Sequence, residues 1–146
     1  MEFASPAWSP WLEGDKKKLE AVQEKALKMV TGLNSKNYRD RCREVGLETL
    51  ERRRERQDMA EVYRMMEGNQ EENILQRTGN GTGVRTRREA DQRSLKKQYS
   101  RTDPRKYSFG VRVTDMWNGL SVETRESKDG TTFKKRLRVE WREKEE

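Results

Sequence analysis

The sequence predicts a mainly α fold: a small bundle of amphipathic helices with a basic, flexible middle segment. Three observations predict it. Apolar residues recur at alternating spacings of three and four from Leu19 to Leu33, and others fall on one helical face between Leu50 and Met66 and between Phe109 and Leu120. Cap and stop residues stand at the ends of these runs. Between Glu67 and Thr102 the apolar residues thin out and Gly79 to Gly83 reads GNGTG. The pattern divides the chain into a helical region over 1–68, a basic linker over 69–103 and a second helical region over 104–146.

In the first region an aromatic, proline-broken lead-in (Trp8, Pro10, Trp11) precedes a helix for which Asp15 is the expected cap. Leu19, Val22, Ala26, Met29 and Leu33 form one stripe, expected to face the core. Lys16, Lys17, Lys18, Lys25 and Lys28, interrupted by Glu20 and Glu24, occupy the other faces, and Gly32 stands where the helix can stop. Ser35 or Asn37 can cap a short helix bearing Tyr38, Cys42 and Val45, which Gly46 closes. Thr49 caps the next helix, expected to run to about Met66, before Gly68. Leu50, Met59, Val62, Tyr63 and Met66 make its apolar side, weakest around Arg53 to Arg56. Within ERRRER, Glu51 to Arg56, the acids can pair with arginines three or four residues away, and Arg54 can brace Asp58 in the same way.

GNGTG is not a dinucleotide fingerprint, because no strand precedes it, and it lacks the lysine of a phosphate-binding loop. A flexible connection is expected there, and the sequon at Asn80 has no accompanying sign of secretion. The stretch from Val84 to Arg101 is basic and weakly patterned: mobile, or a short hairpin or helix laid on other elements. Asp103-Pro104 is a start signal. Phe109, Val113, Met116, Trp117 and Leu120 then fit one helical face. Tyr107, Phe109, Val111 and Val113 also alternate as a strand would, but the helical set continues further. Asn118-Gly119 ends it, the stretch from Ser121 to Gly130 reads as a loop, and Thr131 or Thr132 caps a last helix. That helix has Phe133, Leu137 and Trp141 on one side, with Lys134, Lys135, Arg136, Arg138 and Arg142 crowding the rest.

Composition narrows the function. Of 146 residues 40% are charged and 30% hydrophobic, and Leu, Ile, Val and Phe make only 16%. That is below the roughly 20% under which chains tend to disorder, so a thin core is expected. A net charge of +7 favours a polyanionic partner, nucleic acid first. A membrane surface fits less well, since no helix joins a large apolar face to a uniformly basic one. With no His and one Cys, the chain can form neither an internal disulfide nor a Cys/His zinc site. Histidine-based nucleophilic catalysis is excluded too, and Cys42 reads as a small core residue. No apolar run approaches the roughly 18 residues of a membrane span. An intracellular location, nuclear or cytoplasmic, is expected.

The opening from Glu2 to Leu33 resembles a segment of non-LTR (LINE-type) retrotransposon reverse transcriptases, C-terminal to the polymerase palm. There the family reads LEY-x-x-x-AW-x-P-x-L, an acidic residue, then LE-x-VQ-x-x-A-x-KM. The matching positions are Glu2, Phe3, Ala7, Trp8, Pro10, Leu12, Asp15, Leu19, Glu20, Val22, Gln23, Ala26, Lys28 and Met29. Tyr38-Arg39, Leu47, Leu50, Glu51, Arg53 and Arg54 are similar to its Y-x-x-R-x-x-x-L-G-L-x-x-LE-x-RR region, and Arg56 with Asp58-Met59 to its R-x-DL. Arg105, Phe109, Arg112-Val113 and Trp117-Asn118-x-Leu120 resemble RK-x-F-F-x-x-RV-x-x-x-WN-x-LP, with Ser121 in place of the last proline. Phe133-Lys134-x-Arg136-Leu137 resembles F-K-x-RL. The family's TRGH-like stretch is not kept intact; Thr86-Arg87-Arg88 stands nearest to it.

The family's catalytic aspartates belong to a motif upstream of this block, so the resemblance implies a thumb and post-palm piece, a fragment or a remnant. No catalytic residue, metal or cofactor is expected within it, and whether the chain counts as enzymatic rests on a polymerase core it does not contain. The implied role is to grip template–primer, an RNA–DNA or RNA duplex, through its backbone. The candidate contacts are Lys16, Lys17, Lys18, Lys25, Lys28, Arg52, Arg53, Arg54, Arg87, Arg88, Lys134, Lys135 and Arg136. The alternatives are a helical module docking on a reverse-transcriptase core, or a degenerate retroelement remnant with no activity.

Overall fold

A computed structural model of the chain describes residues 4–30, 32, 35–68, 74–75 and 93–144. It is mainly α, as the sequence predicts. Among the described residues there are eight helices: α1 (Ser5–Trp8), α2 (Glu13–Lys28), α3 (Tyr38–Val45), α4 (Leu50–Gly68), α5 (Asp103–Lys106), α6 (Phe109–Asn118), α7 (Val122–Arg125) and α8 (Gly130–Glu143). The chain divides into two compact units, Met1–Gln57 and Asp58–Glu146, with the division inside α4. The GNGTG stretch, the Asn80 sequon, Leu33, Arg87 and Arg88 lie outside the described residues.

The first unit is built on a polar face of α2. Asp15 is not the cap: Leu12 holds that position with no side-chain bond, and Asp15 sits in the first turn, 3.0 Å from Lys18 Nζ. A carboxylate there still meets the positive end of the helix dipole. The stripe expected to face the core is not the inward one. Val22 is exposed, Met29 lies just past the helix and is 86% exposed, and Leu27 is the buried residue of α2. The inward row is Lys16, Glu20, Gln23 and Leu27. Its partners explain why. α3 and the start of α4 present donors, the Tyr38 hydroxyl and the Leu50 and Glu51 N–H groups, which a carboxylate can satisfy and a valine cannot.

Glu20 accepts from Leu50 N at 3.2 Å, from Glu51 N at 2.6 Å and from the Tyr38 hydroxyl. Gln23 Nε2 donates to Glu48 O at 3.0 Å and lies 3.6 Å from Cys42 Sγ. Burial, then the hydrogen bond to Glu20, pushes the Tyr38 phenol well above its ordinary value. Asn37 caps α3 by accepting from Asp40 N at 2.9 Å, and Gly46 closes it with φ +71°. That left-handed value favours a residue without Cβ. Cys42 is buried, as expected. Thr49 Oγ1 accepts from Arg52 N at 3.3 Å, so α4 carries its own cap beside the one Glu20 supplies.

The second unit has an apolar core. Met59, Val62, Tyr63 and Met66 of α4 meet Val113 and Trp117 of α6, Leu120, and Phe133 and Leu137 of α8. Tyr63 stacks on Phe133 with centroids 4.6 Å apart, and Trp117 lies tilted 5.8 Å from the same ring. The 69–103 interval, expected as a linker, supplies two further core residues, Leu75 and Leu95. Arg112 sends two nitrogens to the buried Asp58, each at 3.0 Å.

Three local expectations are corrected here. Asp103 lies in the first turn of α5 rather than at its cap, which is Thr102, and the helix breaks at Tyr107–Ser108 before α6 begins. Val122–Arg125, expected as loop, is α7, capped by Ser121 Oγ accepting from Thr124 N at 3.2 Å. Asp129, not Thr131 or Thr132, caps α8, accepting from Thr132 N and Thr132 Oγ1 at 2.8 Å each. A carboxylate accepts both bonds and also meets the helix dipole, and these bonds hold the Asp129 carboxyl below its ordinary value.

Candidate nucleic-acid interface

In the first unit the cations of α2 fall into two groups. Lys16 is turned inward, 2.8 Å from Glu13 and 3.3 Å from Glu51. Its ammonium pKa is raised, chiefly by the bond to Glu13. Lys17, Lys18, Lys25 and Lys28 are exposed on the far side. Two of those four are matched by carboxylates on the same helix, Lys18 by Asp15 at 3.0 Å and Lys28 by Glu24 at 2.9 Å. Five lysines on α2 stand against four carboxylates, so its field is weak. Exposed pairs of this kind contribute about 0–1 kcal/mol and are screened by salt.

The arginines at the start of α4 serve the first unit internally. Arg54 is 5% exposed, with Nη2 3.9 Å from Glu20 Oε1, so no phosphate can reach it in this arrangement. Arg52 is half-buried and pairs with Glu55 at 3.2 Å. Burial raises the Glu55 carboxyl above its ordinary value despite that bond. Arg53 is partly exposed, and Arg56 pairs with Glu48.

In the second unit α8 presents a different surface. Phe133 and Leu137 fill the inward stripe, so its cations point outward by default. The helix carries five cations against two carboxylates, Glu140 and Glu143. Glu140 is spent locally: it accepts from Ser121 N and Ser121 Oγ at 3.0 Å each and pairs with Lys144 at 2.9 Å. Arg136 donates to the Glu123 carbonyl. Lys134, Lys135, Arg138 and Arg142 are exposed, with no ion-pair partner among the described residues. Lys134, Arg138 and Arg142 recur every four residues, one step being about 6 Å along the axis.

The row therefore places positive charges at short, regular intervals on a rigid element. Arg138 and Arg142 are not among the thirteen candidates named from the sequence; their spacing with Lys134 is the signal that marks them. Among the described residues no group of three or more Cys, Asp and Glu is placed to hold a metal ion, and no helix is long and apolar enough to cross a membrane. Comparison with protein-family models, curated proteins and solved structures gives no match to the chain.

Proposed function

We propose that the chain grips nucleic-acid backbone through the outer face of α8, in the manner of a thumb and post-palm piece of a LINE-type reverse transcriptase. The observation that carries the reading is the set Lys134, Lys135, Arg138 and Arg142, exposed and in no ion pair among the described residues. Contacts of this type position a duplex without reading its bases. The ordered sequence resemblance supports the retroelement assignment, and the net charge of +7 supports the polyanionic ligand. In this reading the chain makes no DNA by itself, and a primer-extension assay on it stays blank with or without Mg²⁺.

The test is affinity for an RNA–DNA duplex as a function of salt. Replacing Lys134, Lys135, Arg138 and Arg142 by Gln should leave the fold intact, since exposed positions usually contribute within about ±0.5 kcal/mol each. The slope of log K against log salt should shrink by about 0.9 for each phosphate that the variant no longer neutralises. An unchanged slope removes this face from the interface.

A second reading has its own observation. Trp8, Trp11, Leu12 and Val22 of the first unit are each more than 40% exposed. Aromatic side chains so placed suit anchoring on a protein such as a polymerase core. Folding or affinity that depends on such a core, without salt-sensitive duplex binding, favours that reading.

A further inference from the structure

The segment before α5 has no helix, yet it is tied to the rest of the second unit at several residues between Arg93 and Gln98. Trp117 Nε1 donates to Arg93 O at 2.6 Å. Arg93 sends one nitrogen to Arg125 O and another to Glu67, each at 2.8 Å. The Asn118 side chain pairs with both backbone groups of Leu95, accepting from its N–H at 2.9 Å and donating to its carbonyl at 2.8 Å, as a neighbouring strand would. Leu95 is in the core, Lys97 pairs with Asp115 at 2.9 Å, and Gln98 Nε2 donates to Ile74 O at 3.3 Å.

The next side chain, Tyr99, is 88% exposed. A tyrosine ring standing in water at the tip of a loose loop would call for no account. Here the residues just before it are bonded to the rest of the unit, and the ring is still left uncovered. Around it the chain is basic. From Lys96 to Tyr107 there are five cations against one carboxylate, Asp103. Lys97 is neutralised by Asp115. Lys96, Arg101, Arg105 and Lys106 are exposed and have no ion-pair partner among the described residues. Lys106 Nζ lies 5.5 Å from the Tyr107 ring, which extends the aromatic and cationic surface.

A flat, pre-positioned ring among unmatched cations fits a ligand with both a π-face and a phosphate chain. In a duplex the bases are stacked on one another and offer no free face; in a single strand they do. We propose that the segment from Lys96 to Lys106 is a single-strand nucleic-acid site, in which an unpaired base stacks on Tyr99 and the phosphates run along Lys96, Arg101, Arg105 and Lys106. The site shares no residue with the α8 face and stands whether or not that face holds duplex.

The experiment measures binding of the full chain to a labelled oligothymidylate of roughly twelve nucleotides, to an abasic strand of the same length, and to an RNA–DNA duplex. Tyr99→Ala should weaken oligothymidylate binding about tenfold, and Tyr99→Phe should restore it, because stacking needs the ring and not the hydroxyl. Neither variant should change affinity for the abasic strand or the duplex. Replacing Lys96, Arg101 and Arg105 by Gln should weaken both single strands alike. The Gln variant of α8 should keep the Tyr99 effect. Failure of duplex binding with the Tyr99 effect intact refutes the α8 reading and leaves this site standing. The proposal is overturned if the parent has no affinity for oligothymidylate, or if Tyr99→Ala binds it as well as the parent. It is overturned equally if Tyr99→Ala loses the abasic strand to the same degree. The last two results would mark the segment as a charged surface for an anion of another class, such as an acidic protein.

Discussion

The two units hold themselves together by different means. Among the described residues of the second, eleven apolar residues form one buried cluster. Among those of the first, the buried apolar residues are Leu27, Cys42 and Leu50, and the helices meet through Glu20, Gln23, Tyr38 and Arg54. The difference separates two kinds of specification. An apolar core accepts any well-shaped hydrophobic partner, and misplacing one side chain forfeits only part of the energy. A polar interior holds only when each donor finds its acceptor, and one carboxylate serves four partners here. The same contrast governs the cations. On α2 the acids are used both for the interior and for matching lysines; on α8 the inward stripe is apolar and the cations are left for an outside ligand.

The largest expected effect tests the apolar side of the comparison. Phe133→Ala removes the ring against which Tyr63 and Trp117 both pack, at an expected cost of about 3–5 kcal/mol. Urea denaturation followed by circular dichroism measures it. A cost below about 1 kcal/mol would mean that the cluster collapses around the gap and is not the main support of the second unit.

Glu20→Ala tests the polar side. It leaves the Leu50 and Glu51 N–H groups and the Tyr38 hydroxyl without their acceptor, and takes the carboxylate from beside Arg54. Unsatisfied buried groups cost about 1–3 kcal/mol each, and water reaching the partly exposed site reduces the sum, so about 2–3 kcal/mol is expected. Glu20→Gln, which keeps an acceptor oxygen, should cost less. Amide exchange at Leu50 and Glu51 should accelerate while the amides of α6 and α8 keep their protection. Equal protection in parent and variant would show that the polar row does not hold the first unit.

This contrast also explains what could be read from the sequence. Where burial decides the fold, spacing is enough: Met59, Val62, Tyr63, Met66, Val113, Trp117, Phe133 and Leu137 were all legible as inward residues. Where hydrogen bonds decide it, spacing misleads. Val22 and Met29 fit a helical stripe, yet Glu20 and Gln23 face inward because their hydrogen-bond partners lie up to 31 residues away in the chain. Aspartate is favoured both at a cap and in the first turn, so the sequence does not tell which of the two Asp15 and Asp103 take, and Asp129 is masked by the two threonines that follow it. Leu75 and Leu95 were lost in a polar stretch with no periodicity to mark them, and α7 is too short to have one. Among the site candidates, Lys16 and Arg54 look like Lys17 and Arg53 in any census of charge. What turns them inward is Glu51 and Glu20, and that pairing exists only in the folded chain.

A smaller effect comes from one close approach in the apolar unit. Gly110 lies in α6, where alanine would ordinarily gain about 1 kcal/mol of helix propensity. A Cβ at this position would stand 2.5 Å from the carbonyl oxygen of Ile74. Backbone cannot swing aside as a side-chain tip can, and overpacking of this kind costs about 1–3 kcal/mol. Gly110→Ala should therefore destabilise the second unit by about 1–2 kcal/mol net, seen as a lower midpoint in thermal unfolding. A raised midpoint would mean that the segment at Ile74 is free to move away from α6.

The smallest effect is a pH dependence in the second unit. Burial alone would raise the Glu140 carboxyl, but hydrogen bonds from Lys144, Thr124 and Ser121 outweigh it and hold the group below its ordinary value of 4.5. The unfolded chain then binds the proton more readily than the folded one, so stability rises with pH through this range. The contribution is fully present above the ordinary carboxylate value and fades as pH falls through the lower, folded value. Glu140→Gln removes the titration while keeping an acceptor for Ser121 N. Below about pH 4.5 the variant should therefore lose less stability per pH unit than the parent, although above it the parent is the more stable. The carboxyl of Asp129, also lowered, remains in both proteins and cancels in the difference. The measurement is the thermal midpoint of each protein between about pH 3 and 6. Parallel curves would show that Ser121 and Lys144 brace Glu140 no better in the folded chain than water does in the unfolded one, and would leave the Arg136 bond to the Glu123 carbonyl as a polar link between α7 and α8.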